Sequence, residues 1–230
     1  MKRFYKTAVA EPLGGGHAIK LDGRGIKTPT RADLIVPTSA LAATIAAEWD
    51  AQGETVEPRS MPLTGLANAA IDSIAPDPAA FAASLAAYAE SDLLCYRADA
   101  PAKLVARQAE QWDPLLAWAC GRYDVRFEVT EGILHKAQPA ETLARLGQAL
   151  LDFDPFHLAP LHPLVTIAGS LIVALAIVEG QIDVETAFAT AHLDELWQVE
   201  HWGEDELATR ARESRRADFK AAARFLALLM

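Results

Sequence analysis

The residues best able to do chemistry lie together near the C-terminal end, in His192-Leu193-Asp194-Glu195-Leu196-Trp197-Gln198-Val199-Glu200-His201-Trp202-Gly203. Carboxylates and imidazoles move protons near neutral pH and hold divalent metals. At about 100° per residue, His192, Glu195, Val199 and Trp202 share one helical stripe, and Asp194, Gln198 and His201 another. One reading makes His192, Glu195 and Glu200 acid–base groups or metal ligands in a helical cleft. A second makes Glu195 and His192 a hydrogen-bonded pair in an ordinary core. A third makes the mixed stripe a surface used by a partner. The metal reading lacks its usual companions: there is no H-E-x-x-H, no second E-x-x-H and no cysteine pair at zinc spacing. No metal or cofactor is expected.

Other chemistries fare no better. Gly14-Gly15-Gly16 has no Lys-Ser/Thr after it, and Gly23-Arg24-Gly25-Ile26-Lys27-Thr28 reads as a hairpin rather than a phosphate loop between strand and helix. Ser170 follows Gly169 but lacks the second glycine of a nucleophile elbow. Arg210, Arg212, Arg215, Arg216, Lys220 and Arg224 could suggest a polyanion site. A solvated helix face with pairs such as Glu206–Arg210 explains them as well. Cys95 and Cys120 sit among apolar neighbours and read as reduced thiols.

The elements that must position these residues begin with small β structure. A strand is expected over Phe4 to Val9, broken at Gly14-Gly15-Gly16. Another is expected over His17 to Leu21, turning at Asp22-Gly23. Ile26-Lys27-Thr28 and Leu34-Ile35-Val36 would add two short strands. A helix follows, capped by Thr38 or Ser39, with Leu41, Ile45 and Trp49 at i, i+4, i+8. Thr55-Val56 could be a further strand, and Pro58 marks a boundary. The expected division is a β-rich domain over 1–58 and a mainly helical domain over 59–230, an α+β protein.

In the second part, helices are expected from Met61 to Ile74, Pro78 to Glu90, Pro101 past Trp118 with a break or kink at Pro114, and Pro139 to Phe153. More are expected around Phe156 to Leu161, from Leu164 to Val178, from Asp183 into the His192 stretch, and from Glu204 to the end. Val125 to Val129 alternates like a strand, with Ile133 to His135 as its partner. The Leu164–Val178 run is hydrophobic nearly all round, so it reads as the centre of the helical core. It is too short for the ~20 residues of a membrane span.

Composition narrows the function classes. A net charge of −10 disfavours nucleic acid and anionic membrane surfaces as partners. No apolar run follows Met1-Lys2-Arg3-Phe4-Tyr5-Lys6, so no signal peptide is expected. Trp49, Trp112, Trp118, Trp197 and Trp202 are many tryptophans for a chain without a visible active site, and tryptophan is a favoured interface anchor. These residues describe a helix-rich α+β protein that binds rather than catalyses.

An ordered set of short motifs goes further. Arg3-Phe4-Tyr5-Lys6, Leu21-Asp22-Gly23-Arg24 with Lys27-Thr28-Pro29, Glu48-Trp49 with Gln52, and Met61-Pro62-Leu63-Thr64 come first. Asp92-Leu93-Leu94-Cys95-Tyr96-Arg97, Gln111-Trp112-Asp113-Pro114-Leu115, and Asp194-Glu195-x-x-Gln198 leading to Trp202-Gly203 follow. Together they resemble the F1 ATP synthase assembly chaperones that act on the alpha subunit. The resemblance implies a β-rich domain before a helical one, no enzymatic activity, and a monomer that keeps the unassembled alpha subunit soluble until the beta subunit displaces it. It implies a bacterial cytoplasmic version of a protein found in the mitochondrial matrix in eukaryotes. By matching position, Glu195, Asp194, Gln198 and Trp202 are carried over as partner-binding residues. Glu48, Trp49 and Met61 are expected to hold the two domains together. Glu204-Asp205 after Trp202-Gly203 departs from the longer acidic-aromatic segment of mitochondrial members. The rival to this reading remains a helical enzyme using Glu195, Glu200 and His192; a permanent assembly component is a third option.

Overall fold

A computed structural model describes residues 1–132 and 134–230. Its contacts gather into two compact units, one of Met1–Pro78, Asp154–Pro160 and Ala221–Met230, the other of Ala79–Phe153 and Leu161–Lys220. The first therefore continues past the expected division at 58.

In the first unit, β1 (Ala8–Leu13), β2 (Gly16–Leu21), β3 (Arg24–Gly25) and β4 (Ile35–Val36) form an antiparallel sheet, with both β3 and β4 pairing β2. The first strand starts at Ala8 rather than Phe4. Leu21 pairs Arg24 across Asp22 and Gly23, both at positive φ (48° and 79°), the backbone that a two-residue hairpin demands. Gly16 is required by space: a Cβ there would lie 2.7 Å from Ile35 Cγ2 and 2.9 Å from the Val36 carbonyl oxygen. Ile26-Lys27-Thr28 contributes one isolated bridge, Lys27 to Asp33, and Thr55 bridges Lys2 without forming a strand.

A four-stranded sheet with so little width must bury its face on something else. Helix α1 (Ser39–Asp50) does this, capped by Thr38 Oγ1, which accepts from the Leu41 N–H at 3.2 Å. Leu41 and Ile45 pack with Ile19, Leu34 and Val36, and Leu63 and Ala67 of α2 (Pro62–Ala69) join them. The α2 path continues as a single π-helical segment over Ala70–Ile74. Phe225 also belongs to this core, with Phe156, Leu228 and Leu229 packed against it. The last turns of the chain thus finish what the first strands begin.

The second unit is helical: α3 (Pro78–Ala86), α4 (Ala102–Tyr123), α5 (Ala140–Leu151), α6 (Pro155–Ala168), α7 (Leu171–Val178), α8 (Val184–Ala191), α9 (Leu193–Trp202) and α10 (Glu206–Ala227). The ends of α3, α6 and α10 reach into the first unit's residues. Helix α4 runs unbroken through Pro114. The expected Leu164–Val178 helix is two, because Gly169 takes φ +64° and Ser170 then caps α7, its Oγ accepting from the Val173 N–H at 3.0 Å. Helix α7 is buried from Leu171 to Ala176, as its all-round hydrophobicity requires. Val125 to Val129 is not a strand. Instead β5 (Tyr96–Arg97) and β6 (Thr130–Glu131) make a short parallel pair, and the Glu128 N–H and C=O are taken by the Gln138 amide. The partner strand expected from Ile133 begins on the one residue outside the described ones.

Candidate functional site

The helix expected to run from Asp183 through Trp202 is divided at His192. Asp183 does cap its start, with Oδ1 accepting from the Glu185 and Thr186 N–H groups at 3.0 Å each. At His192 the backbone leaves helical geometry (φ −107°, ψ 21°) while its ring Nδ1 lies 2.9 Å from the Phe188 carbonyl oxygen. The imidazole is buried and stacks on Phe188 with ring centroids 3.9 Å apart. Burial holds its pKa below the ordinary value, so it sits neutral in the core.

Glu195 turns away from His192 and toward α10. Its carboxylate lies 3.3 Å from Arg212 Nη1 and 2.8 Å from Arg215 Nη2. Gly203, at φ +86°, reverses the chain after Trp202. Helix α10 then runs back antiparallel, so that Arg212 also meets Glu204 at 3.3 Å, and Arg216 and Lys220 both reach Glu185, the lysine at 2.5 Å. The basic series on α10 is therefore largely spent on pairs inside this unit, Glu206–Arg210 among them. The Glu195–His192 hydrogen bond considered for this stripe is replaced by an interhelical ion pair, because two guanidiniums compete for a carboxylate that one buried neutral imidazole cannot match.

The neighbouring residues divide in the same way. Asp194 accepts from the Gln108 side-chain N–H on α4 at 2.7 Å, a structural tie to a buried residue. Glu200 pairs with Arg107 at 2.6 Å, and that guanidinium lies over Trp197, on which His201 also stacks with ring centroids 4.2 Å apart. Gln198 is exposed without such ties among the described residues. Trp202 is 78% exposed at the end of α9, and Leu207, at the start of α10, is 75% exposed. These are two large apolar side chains open to water, set beside one sharp turn. Leu207 was missed in the sequence, although a leucine straight after the acidic run Glu204-Asp205-Glu206 was the available signal.

As an enzyme centre the cluster does not assemble. His192, Glu195 and Glu200 each take a different partner, and among the described residues no three His, Cys, Asp or Glu side chains stand close enough to hold a metal ion.

Glu48, Trp49 and Met61 all lie within the first unit. The Glu48 carboxylate accepts from the backbone N–H groups of Leu63 and Thr64 at 2.8 Å each and from the Thr64 hydroxyl at 2.7 Å. These are the otherwise unpaired donors that open α2, and a carboxylate there also opposes the helix dipole. Trp49 packs edge-on to Tyr5 with centroids 5.8 Å apart, and the Tyr5 hydroxyl donates to the Trp49 carbonyl at 2.7 Å. Met61 is buried in a small satellite core with Tyr5, Leu21 and Val56. The three residues tie α1 to α2 and to the N-terminal strands.

Comparison with known proteins decides the family. The model of the ATP12 chaperone protein family matches residues 2–120. The chain belongs to the ATP12 chaperone family. It is accordingly an ATP synthase assembly chaperone and not an enzyme. The mitochondrial atp12 protein of Schizosaccharomyces pombe is 30% identical over 215 residues, covering 88% of this chain and 74% of the yeast one. Crystal structures of Paracoccus denitrificans Atp12, one of them a point variant, are 43% identical, with a TM-score of 0.94 over 100% of this chain and 98% of theirs. The α+β fold, a small strand sheet followed by helices, is thus the ATP12 fold. Among the described residues no helix is long and apolar enough to cross a membrane.

Proposed function

We propose that this ATP12 chaperone binds the unassembled alpha subunit of F1 through the corner where α9 meets α10, and releases it when the beta subunit competes for the same face. The observation that carries this reading is the exposure of Trp202 and Leu207, at 78% and 75%, on either side of Gly203. An alpha subunit without its neighbour presents apolar surface that associates wrongly if left open. A cover that must later leave should be of moderate size, on the order of 1,200–2,000 Å² in total, and partly polar. Trp202 and Leu207 supply the apolar anchors. Exposed Gln198 supplies a polar rim, and Glu195 with Asp194 fixes the helix that presents it. Release needs no nucleotide, since a tighter competitor removes the client by mass action. The working form is a monomer in the bacterial cytoplasm. Glu48, Trp49 and Met61 serve by holding the first unit together.

The test uses purified alpha subunit, whose aggregation is followed by light scattering with stoichiometric chaperone. Wild type suppresses scattering, and Trp202→Ser with Leu207→Ser loses that suppression while melting like wild type. Full protection by the double variant would show that the client docks elsewhere.

A further inference from the structure

The first unit carries two clefts that share Met1, Lys27 and Trp49. One, of about 600 Å³, is walled by Phe4, Tyr5 and Ile26; the other, of about 370 Å³, by Val56, Met61 and Asn68. Three features set them apart from ordinary surface hollows. Phe4 is 66% exposed and Met1 71%, so the first cleft has an aromatic and a thioether wall open to water. The Trp49 indole Nε1 and the Asn68 Oδ1 are both buried without a hydrogen-bond partner, one a donor and one an acceptor, in residues lining the second cleft. Such orphans are costly and rare in folded proteins.

The third feature is charge. Residues 1–31 hold seven Lys or Arg against two Asp or Glu, a net +5, in a chain whose remainder sums to −15. Within that stretch Arg3, Lys20 and Lys27 have ion-pair partners. Arg24, exposed on the rim of the larger cleft, has none among the described residues. The carboxylate beside it, Asp22, is occupied by the Lys6 and Thr7 N–H groups and the Thr7 hydroxyl. Those bonds hold its pKa below the ordinary carboxylate value, so it stays a spent anion rather than a ligand-facing one.

We propose that these clefts form a docking site for an extended peptide segment that places an apolar side chain against Phe4 and Met1 and a neighbouring carboxylate against Arg24. Where the same segment continues into the second cleft, its backbone C=O and N–H satisfy Trp49 Nε1 and Asn68 Oδ1. An extended backbone complements the orphan donor and acceptor, and Arg24 on the cleft rim, with no ion pair of its own among the described residues, selects acidic segments over basic ones. The site is built from residues of the first unit alone, and its test does not use the alpha subunit.

Panning a random-peptide phage library on the full chain tests this. The expected result is enrichment of sequences with an aromatic or aliphatic residue beside Asp or Glu. An enriched peptide, made synthetically, should bind Arg24→Glu about tenfold more weakly than wild type, the effect of turning one attraction into a repulsion. With ¹⁵N-labelled tryptophan, of the five indole resonances the one missing in Trp49→Phe should be the one that shifts on binding. No enrichment, enrichment of basic peptides, a still Trp49 resonance, or equal binding to Arg24→Glu would each overturn the proposal.

Discussion

Glu48 and Glu195 are the same residue type, each on a helix beside a tryptophan-bearing stretch, yet the two corners they occupy are built to different ends. Glu48 sits against backbone N–H groups, which cannot move without unwinding α2, and its three short bonds make it part of the fold. Glu195 sits against the guanidinium groups of Arg212 and Arg215 on another helix, and its own side chain remains 30% exposed. Around Glu48 the aromatic residue is packed, with Trp49 on Tyr5; around Glu195 the aromatic residue at the turn, Trp202, is left in water. A corner that spends its carboxylate on backbone and its tryptophan on packing holds a fold. One that spends its carboxylate on side-chain cations and leaves its tryptophan open has the surface that the proposed client docking needs.

Substitutions at the two corners should therefore separate stability from chaperoning. Trp49→Arg should have the largest effect, about 3–5 kcal/mol of lost stability in urea titration, since it sets an unpaired charge where a ring packed. A midpoint near wild type would mean that the first-unit corner is not structural. Glu48→Ala should cost about 2–4 kcal/mol in the same titration, because it strands donors that open α2. Should Glu48→Ala melt normally yet lose client protection, the two corners would have to exchange roles.

Glu195→Lys should lower stability by no more than about 1 kcal/mol, the scale of partly exposed ion pairs, while abolishing protection of the alpha subunit. An unfolded circular dichroism spectrum would instead make Glu195 a structural residue like Glu48. The smallest effect is on pH dependence. Burial lowers the His192 pKa in the folded chain, so the unfolded chain takes up the proton first. The stability His192 contributes is complete above the ordinary imidazole value of about 6.5 and is lost as pH falls below it toward the folded value. Glu195 raises that pKa through its charge, so Glu195→Lys should leave the onset of the acid loss near the ordinary value of about 6.5 and extend that loss to lower pH, deepening the acid limb of a melting-temperature profile. A profile that His192→Gln leaves unchanged would show that the imidazole is not protonated over this range.

Much of this molecule was legible before its structure. The Asp22-Gly23 hairpin, the Thr38 and Asp183 caps, the Leu41–Ile45 face of α1 and the buried run of α7 were all readable, because each depends on residues a few positions apart. What stayed hidden depended on distance in sequence. That Phe225 and Leu228 complete a core begun by Ile19, that Glu48 caps a helix starting fourteen residues later at Pro62, and that Glu195 answers to Arg212 and Arg215 rather than to His192 are outcomes of packing. Spacing states which side chains share a stripe; only the approach of another segment states which of them it meets. Backbone geometry acts locally and leaves its mark in the sequence, whereas the choice among competing partners is made by the free energy of the whole assembled chain.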